Sequence, residues 1–110
     1  MGLYLTMTTE NNVRIINRIK VLFVGNIFNE VLRDKKQLTE TECMEIDKEY
    51  TITIQDIPGI IKHYEELLGD YADTDYNGQV GIIRHQILNP LKKEWDYRIS
   101  NNTKYTIKID

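Results

Sequence analysis

Two carboxylates and an amide stand at alternate positions of one short stretch of the chain, an arrangement suited to binding a cation. Residues 73–81 read DTDYNGQVG, which places carboxylates at Asp73 and Asp75 and an amide oxygen at Asn77. Alternate oxygen ligands followed by a glycine are typical of a tight loop that wraps around Ca²⁺. The same letters, with Asn-Gly at their centre, are also typical of a turn between two secondary-structure elements. The stretch therefore has two interpretations, a cation site and a polar turn.

Over these nine residues the stretch resembles the loop of the EF-hand calcium-binding family. The resemblance implies Asp73, Asp75 and Asn77 as ligands. It ends at Arg84, which stands where the family has a bidentate glutamate and whose guanidinium has no lone pair to offer. Pro90 also disfavours the helix that would leave such a loop. The sequence therefore favours the turn and keeps a weak, incomplete cation site at the three ligands as the alternative.

The same region has the composition of a protein-contact surface. Tyr71 and Tyr76 flank a run of acids formed by Asp70, Asp73 and Asp75. A tyrosine ring beside charged groups offers a large contact area at a small cost in conformational entropy, so such rings often anchor interfaces. We predict that these five residues form a partner-binding surface that favours a basic partner. The structural alternative is that both rings cover the rim of the core with their hydroxyls in water.

The sequence contains no catalytic or cofactor-binding motif. The two histidines, His63 and His85, lack the spacing of zinc ligands, and Cys43, the single cysteine, has no base near it in the sequence. Nucleophile elbows and glycine-rich phosphate loops are also absent. We therefore predict no catalytic residue and no cofactor, unless an acid and a histidine meet only in the folded chain.

The pattern of apolar residues predicts an α+β fold with a mostly antiparallel sheet. Its clearest element is a main helix at about 57–71, where apolar residues recur at i, i+3, i+4 and i+7, with Asp56 as N-cap and Gly69 as stop. A second helix is expected near 26–36. Alternation of β-branched and polar residues predicts the strands of the sheet at 50–54, 79–87, 95–99 and 104–109.

The remaining segments are less well defined by the pattern. Periodicity leaves 13–24 as either helix or strand, because apolar residues at helical spacing overlap a continuous β-friendly run. Residues 1–12 are expected to be flexible or to add a short edge strand, and the acidic segment 41–49 is a candidate edge for a homodimer. Asn89 and Pro90 predict the start of a new short helix.

Length and composition predict one folded domain over 1–110. The chain has 110 residues, of which 41% are hydrophobic and 28% charged. Its formal net charge is −3 and its basic residues are scattered along the sequence, which argues against nucleic acid as the partner. The N-terminus lacks the positively charged start of a signal peptide, and no apolar run is long enough to span a bilayer. We therefore expect a cytoplasmic protein that does not contact membranes.

These observations leave three functional hypotheses. The first is a small non-enzymatic protein that acts by binding another macromolecule, above all a protein, as an inhibitor, an immunity protein, an antitoxin or a phage protein directed against its host does. The second is a weak calcium-binding module that uses the loop 73–81. The third is a small enzyme whose site assembles only in the fold. A homo-oligomer is compatible with each of them, and the absence of catalytic motifs favours the first.

Overall fold

Four antiparallel strands form one sheet, and helices cover one of its faces. The computed structural model describes residues 3–69, 78–98 and 102–110. In chain order the elements are β1 (Tyr4–Thr9), β2 (Arg14–Lys20), α1 (Val21–Asp34), β3 (Glu49–Thr53), a 3-10 turn (Ile54–Asp56), α2 (Ile57–Leu68), α3 (Gln79–Ile82), a π-helical segment (Ile83–Leu88), α4 (Asn89–Arg98) and β4 (Lys104–Ile109). The structure thus has the predicted α+β class with an antiparallel sheet.

The strand order in the sheet is β2-β1-β4-β3. β1 therefore lies in the interior, paired with β2 on one side and with β4 on the other. The expectation that 1–12 is flexible or a short edge strand is wrong for Tyr4–Thr9, because β1 is an ordered strand that is paired on both sides. The strands predicted at 50–54 and 104–109 are confirmed as β3 and β4.

A bulge interrupts the alternation of β2. Ile16 and Ile19 both face the core, although a regular strand would turn them to opposite sides. Arg18 takes up the extra residue with φ +54°, and the pairing of β2 with β1 shifts register along this stretch. The ambiguous segment 13–24 is thus divided between β2 and α1.

α1 starts before the predicted 26–36 and ends with a backbone motif that usually needs glycine. The N–H of Gln37 donates to Leu32 O at 2.9 Å, and the N–H of Lys36 donates to Arg33 O at 2.9 Å. These two bonds form a Schellman motif. Lys36 occupies its left-handed position with φ +60°, where glycine is the usual residue. The end of α1 therefore holds a lysine in a strained conformation.

The acidic segment 41–49 does not form an edge strand of its own. β3 begins only at Glu49. Before it, Ile46 makes a single parallel bridge with Ile109, and the N–H of Asp47 donates to Ile109 O at 2.7 Å. The segment is therefore attached to the end of β4 within the same chain.

α2 confirms the main helix predicted at 57–71, although it ends earlier. Gly69 follows it with φ +54°, so the predicted stop is confirmed. Asp56 stands at the predicted N-cap position of α2, but its carboxylate makes no capping bond to that helix. Asp56 Oδ2 instead accepts a hydrogen bond from the N–H of Thr53 at 2.8 Å and pairs with Lys35 Nζ at 2.8 Å. This carboxylate holds the 3-10 turn and ties it to the end of α1.

Residues 79–98 are helical throughout, which contradicts the strands predicted at 79–87 and 95–99. An apparent alternation of apolar and polar residues had favoured strands, and Pro90 had disfavoured a helix through this region. The buried positions Ile83, Ile87, Leu88 and Leu91 recur at helical spacing instead.

A π-helical segment explains how the helix passes Pro90. Over Ile83–Leu88 the helix is wider, and at its end the N–H of Asn89 donates to Arg84 O, five residues back. A wider turn leaves more room for the proline ring beside the preceding carbonyls, whose crowding makes proline costly inside an α-helix. α4 begins at Asn89, as the sequence predicted, but it continues the π-helical segment without a break. The expectation that Asn89 and Pro90 start a separate helix is therefore wrong.

The core lies between the covered face of the sheet and the helices. Aliphatic residues from every layer form most of it, and its largest members are Tyr64, Tyr105 and Phe28, each at most 1% exposed. Burial raises the pKa of the Tyr64 hydroxyl well above its ordinary value. Within the described parts of the chain, none of the helices has the length and apolarity that crossing a membrane requires.

Candidate functional site

The predicted partner-binding surface lies outside the described residues. Its members Asp70, Tyr71, Asp73, Asp75 and Tyr76 all fall within 70–77, and so does Asn77 of the alternative cation site. Both interpretations of this loop stay predictions.

The chain that follows the loop corrects one argument from the sequence. α3 starts at Gln79, so a helix does leave the loop and Pro90 does not prevent it. A calcium loop of EF-hand length counted from Asp73 would end at Arg84, yet 79–84 is already helical. Among the described residues, no group of three or more His, Cys, Asp or Glu side chains is placed to hold a metal ion.

Among the described residues, no helix covers the other face of the sheet, and this surface is termed the open face. It is built from the outward residues of the four strands, and in β1, β3 and β4 these alternate with buried residues. Thr8, Thr106 and Thr51 stand in one row across β1, β4 and β3. Threonine is stiff at χ1 and carries a hydroxyl, so this row offers hydrogen bonds and loses little conformational freedom on contact with a partner.

The charged residues on the open face are mostly cationic. Its charged members among the described residues are Arg14, Arg18, Lys20, Lys104 and Lys108 against Glu49 and Asp110. Five cations and two acids give this face a formal charge of +3, whereas the whole chain has −3 and the rest of it therefore −6. Cations that are scattered in the sequence are thus collected on one surface by strand pairing.

Arg18 reaches the open face because of the bulge in β2. In a regular strand Arg18 would lie on the same side as Ile16, in the core. The extra residue turns it outward instead, and its Cζ lies 4.8 Å from the centre of the Tyr4 ring. This cation–π contact holds the guanidinium over the ring of Tyr4, on the open face of β1.

A second surface, termed the α4 groove, lies between β2 and the helical residues 79–98. Its volume is about 740 Å³, which is in the range of small-molecule sites. Its lining combines cationic, acidic and aromatic side chains from separate elements, including Arg14, His85, Lys92, Lys93, Asp96 and Tyr97. Arg14 belongs to both surfaces, because it also stands opposite Thr8 on the open face.

The α4 groove brings a histidine and acids into one lining, as the enzymatic hypothesis requires. His85 shares this lining with Asp96 and Glu94. Glu94, however, is only 8% exposed, and its Oε1 accepts a hydrogen bond from the Tyr105 hydroxyl at 3.3 Å. That carboxylate is engaged with the core. His63 is exposed on α2 and is not part of the groove.

The loop around Cys43 is held by structural contacts. Arg33 donates from Nε and Nη2 to Glu42 O at 3.1 and 2.8 Å, and its Nη2 lies 3.6 Å from the sulfur of Cys43, which is exposed. The N–H of Thr39 donates to the Glu42 carboxylate at 2.8 Å, and this hydrogen bond lowers the pKa of Glu42. These bonds fix the turn after α1 and bring no base to the thiol.

The sequence contained one readable signal for the open face. In the confirmed strand KYTIKI, Lys104, Thr106 and Lys108 alternate with buried residues, which already predicts a basic, hydroxyl-bearing side for β4. The cations that β2 adds to the open face could not be predicted from the sequence, because their position depends on the bulge at Arg18 and on pairing with β1.

Comparisons of this chain with protein-family models, with curated proteins and with solved structures find no match.

Proposed function

We propose that this chain is a small non-enzymatic protein that acts by binding another protein, and that the open face is its contact surface. The observation that carries the proposal is the formal charge of +3 on one face of a chain whose net charge is −3. Complementary charge across an interface steers two proteins together and suppresses wrong partners. An acidic partner surface fits this face.

The arrangement of residues on the open face supports a role in binding a partner. The threonine row stands on paired strands of a sheet, so its hydroxyls are held by the backbone ladder. Lys104 and Lys108 flank it on β4, and Arg18 is fixed over Tyr4. The surface therefore has conformationally restricted threonines at its centre and cations around them, and it is preorganised for binding.

This mode of action is shared by inhibitors, immunity proteins, antitoxins and phage proteins directed against a host, all of which work by occupying a surface. We place the chain among such proteins, in the cytoplasm. The acidic loop 70–77 would suit a basic partner surface, whereas the open face suits an acidic one, so the two surfaces predict partners of opposite charge. We give priority to the open face because its residues are brought together by the fold.

The test uses charge reversal at two matched pairs of lysines. Lys104→Glu/Lys108→Glu changes the open face, whereas Lys36→Glu/Lys62→Glu makes the same change in net charge at exposed positions after α1 and in α2. Each variant serves as bait in a lysate of the source cells, with nuclease added throughout. We expect the same acidic protein to be captured by the wild type and by the control pair but not by the open-face pair.

Two results would contradict the proposal. One is capture of the same partner by the open-face pair with undiminished yield. The other is capture of nucleic acid in samples without nuclease and of no protein once nuclease is present, since the partner would then be a polyanion read through its phosphates.

The enzymatic alternative has one observation in its favour, the presence of His85 and Asp96 in the lining of the α4 groove. An activity located there would be abolished by His85→Ala and unaffected by Lys104→Glu/Lys108→Glu. The binding proposal predicts the reverse pattern for capture of the partner.

A further inference from the structure

We infer that the α4 groove is a second binding site, for a small phosphorylated ligand that carries a flat ring. This site goes beyond the open face and does not depend on the protein partner proposed for it. Nothing in the sequence motifs pointed to it, because its charged groups come from β2, the π-helical segment and α4.

The three cations of the groove differ in the partners that their charged groups have within the protein. Arg14 Nη1 donates to Asn17 Oδ1 at 2.8 Å, which orients the guanidinium and leaves its other N–H groups for a ligand. Lys92 Nζ lies 3.5 Å from Glu65 Oε2 and is partly neutralised. Lys93 makes no ion pair with any described residue. An oriented arginine and a lysine without an ion pair in the same lining are groups suited to binding a phosphate.

The acids of the lining do not cancel these cations. Glu94 is turned to the core and bonded to the hydroxyl of Tyr105. Asp96 is the exposed acid of the lining. Arg14 and Lys93 therefore outnumber the acids that a ligand would meet.

An exposed aromatic ring completes the site. Tyr97 is 76% exposed, and it lines the groove together with Pro90. Aromatic rings stack on flat ligands, and arginine and lysine nearby add cation–π attraction. The ligand we expect thus places a ring against Tyr97 and a phosphate between the cations.

The helix that forms one wall of the groove is irregular at this place. His85 lies in the π-helical segment Ile83–Leu88, and Pro90 follows it. Such segments are rare and occur often at functional sites. The widened turn shapes the wall from which His85 enters the lining.

The experiment uses phenyl phosphate, inorganic phosphate and benzoate as probes. Titration calorimetry measures the binding of each probe to the protein. We expect saturable binding of phenyl phosphate at millimolar concentration or below, and weaker binding of the other two. Lys93→Ala is expected to weaken phenyl phosphate about tenfold, as the loss of one charge-assisted hydrogen bond does. Tyr97→Ala should bring phenyl phosphate to the affinity of inorganic phosphate.

The control variant is Lys62→Ala, an exposed lysine of α2 outside the groove. It should bind phenyl phosphate like the wild type. The inference is overturned if phenyl phosphate gives no saturable change, if benzoate binds as tightly, or if Lys93→Ala and Lys62→Ala behave alike. None of these results affects capture of a protein by the open face. The two proposals can therefore be refuted independently of each other.

Discussion

Gln37 is bonded to Thr51 through both ends of its side-chain amide. Its Nε2 donates to Thr51 O at 2.6 Å, and its Oε1 accepts from the N–H of Thr51 at 3.2 Å. Thr51 lies in β3, an edge strand, whose outward N–H and C=O groups form a template for pairing with another chain. Gln37 thus closes the edge at this position as a neighbouring strand would.

Removal of this amide should weaken the fold and open the edge. We expect Gln37→Ala to lower the free energy of unfolding by about 1–2 kcal/mol, the value of two exposed hydrogen bonds, and to increase self-association. Urea denaturation and sedimentation velocity measure the two effects. Gln55→Ala, at an exposed position of the 3-10 turn, is the control. Equal stability and equal sedimentation of the two variants would show that Gln37 does not protect the edge.

The strained end of α1 predicts a stabilising substitution. Lys36 has φ +60°, a conformation that glycine adopts without strain. Lys36→Gly should therefore raise the free energy of unfolding by about 0.5–1 kcal/mol. The same change at Lys62, inside α2, should lower it by about 1 kcal/mol. Thermal and urea unfolding of the two variants check the pair, and a loss of stability in Lys36→Gly would refute the assignment of strain.

Asp56 connects three elements through one oxygen. Its Oδ2 accepts from the N–H of Thr53 and pairs with Lys35 Nζ, both at 2.8 Å. Asp56→Ala should lower the free energy of unfolding by about 1–3 kcal/mol, because it leaves the turn without its cap. Lys35→Met removes only the partly exposed ion pair and should change stability by less than about 1 kcal/mol. A larger effect at Lys35 than at Asp56 would mean that the ion pair, and not the cap, holds the turn.

Regular periodicity made part of the fold predictable from the sequence. The helix at 57–71 and the strands at 50–54 and 104–109 bury one face in a single unbroken pattern, and local reading found them. The segment 79–98 was misread because Pro90 outweighed the helical spacing of its buried residues. A π-helical turn that accommodates proline is set by tertiary packing and leaves no local signal.

The candidate site was less predictable for a physical reason. A basic surface on a chain of net charge −3 depends on which strands pair, and β1 and β2 pair with a bulge that sequence alone does not place. The outward lysines of β4 could be read, whereas Arg18 could not, since regular alternation would have put it in the core. The loop 70–77, which the sequence favoured, lies outside the described residues.

The buried hydroxyl of Tyr64 should make the free energy of unfolding fall at alkaline pH. Burial raises its pKa above the ordinary value of 10.0, so the folded chain holds the hydroxyl proton more tightly than the unfolded chain. Its contribution is therefore fully present below about pH 10 and is lost as the pH rises further. Tyr64→Phe has no such proton. We expect the free energy of unfolding of the wild type to fall relative to that of Tyr64→Phe between about pH 9 and pH 11. A constant difference between the two proteins would contradict the role given to burial.

The central claim is that the open face binds an acidic protein, and the dissociation constant of the captured partner tests it most directly. Titration calorimetry compares the wild type, Lys104→Glu/Lys108→Glu and Lys36→Glu/Lys62→Glu at one ionic strength. We expect the open-face pair to bind at least about tenfold more weakly than the wild type, and the control pair to stay within about twofold. Equal affinity of the two variant pairs would contradict the claim. Reversing the charge of two lysines within the contact surface must weaken binding to an acidic partner more than the same change elsewhere.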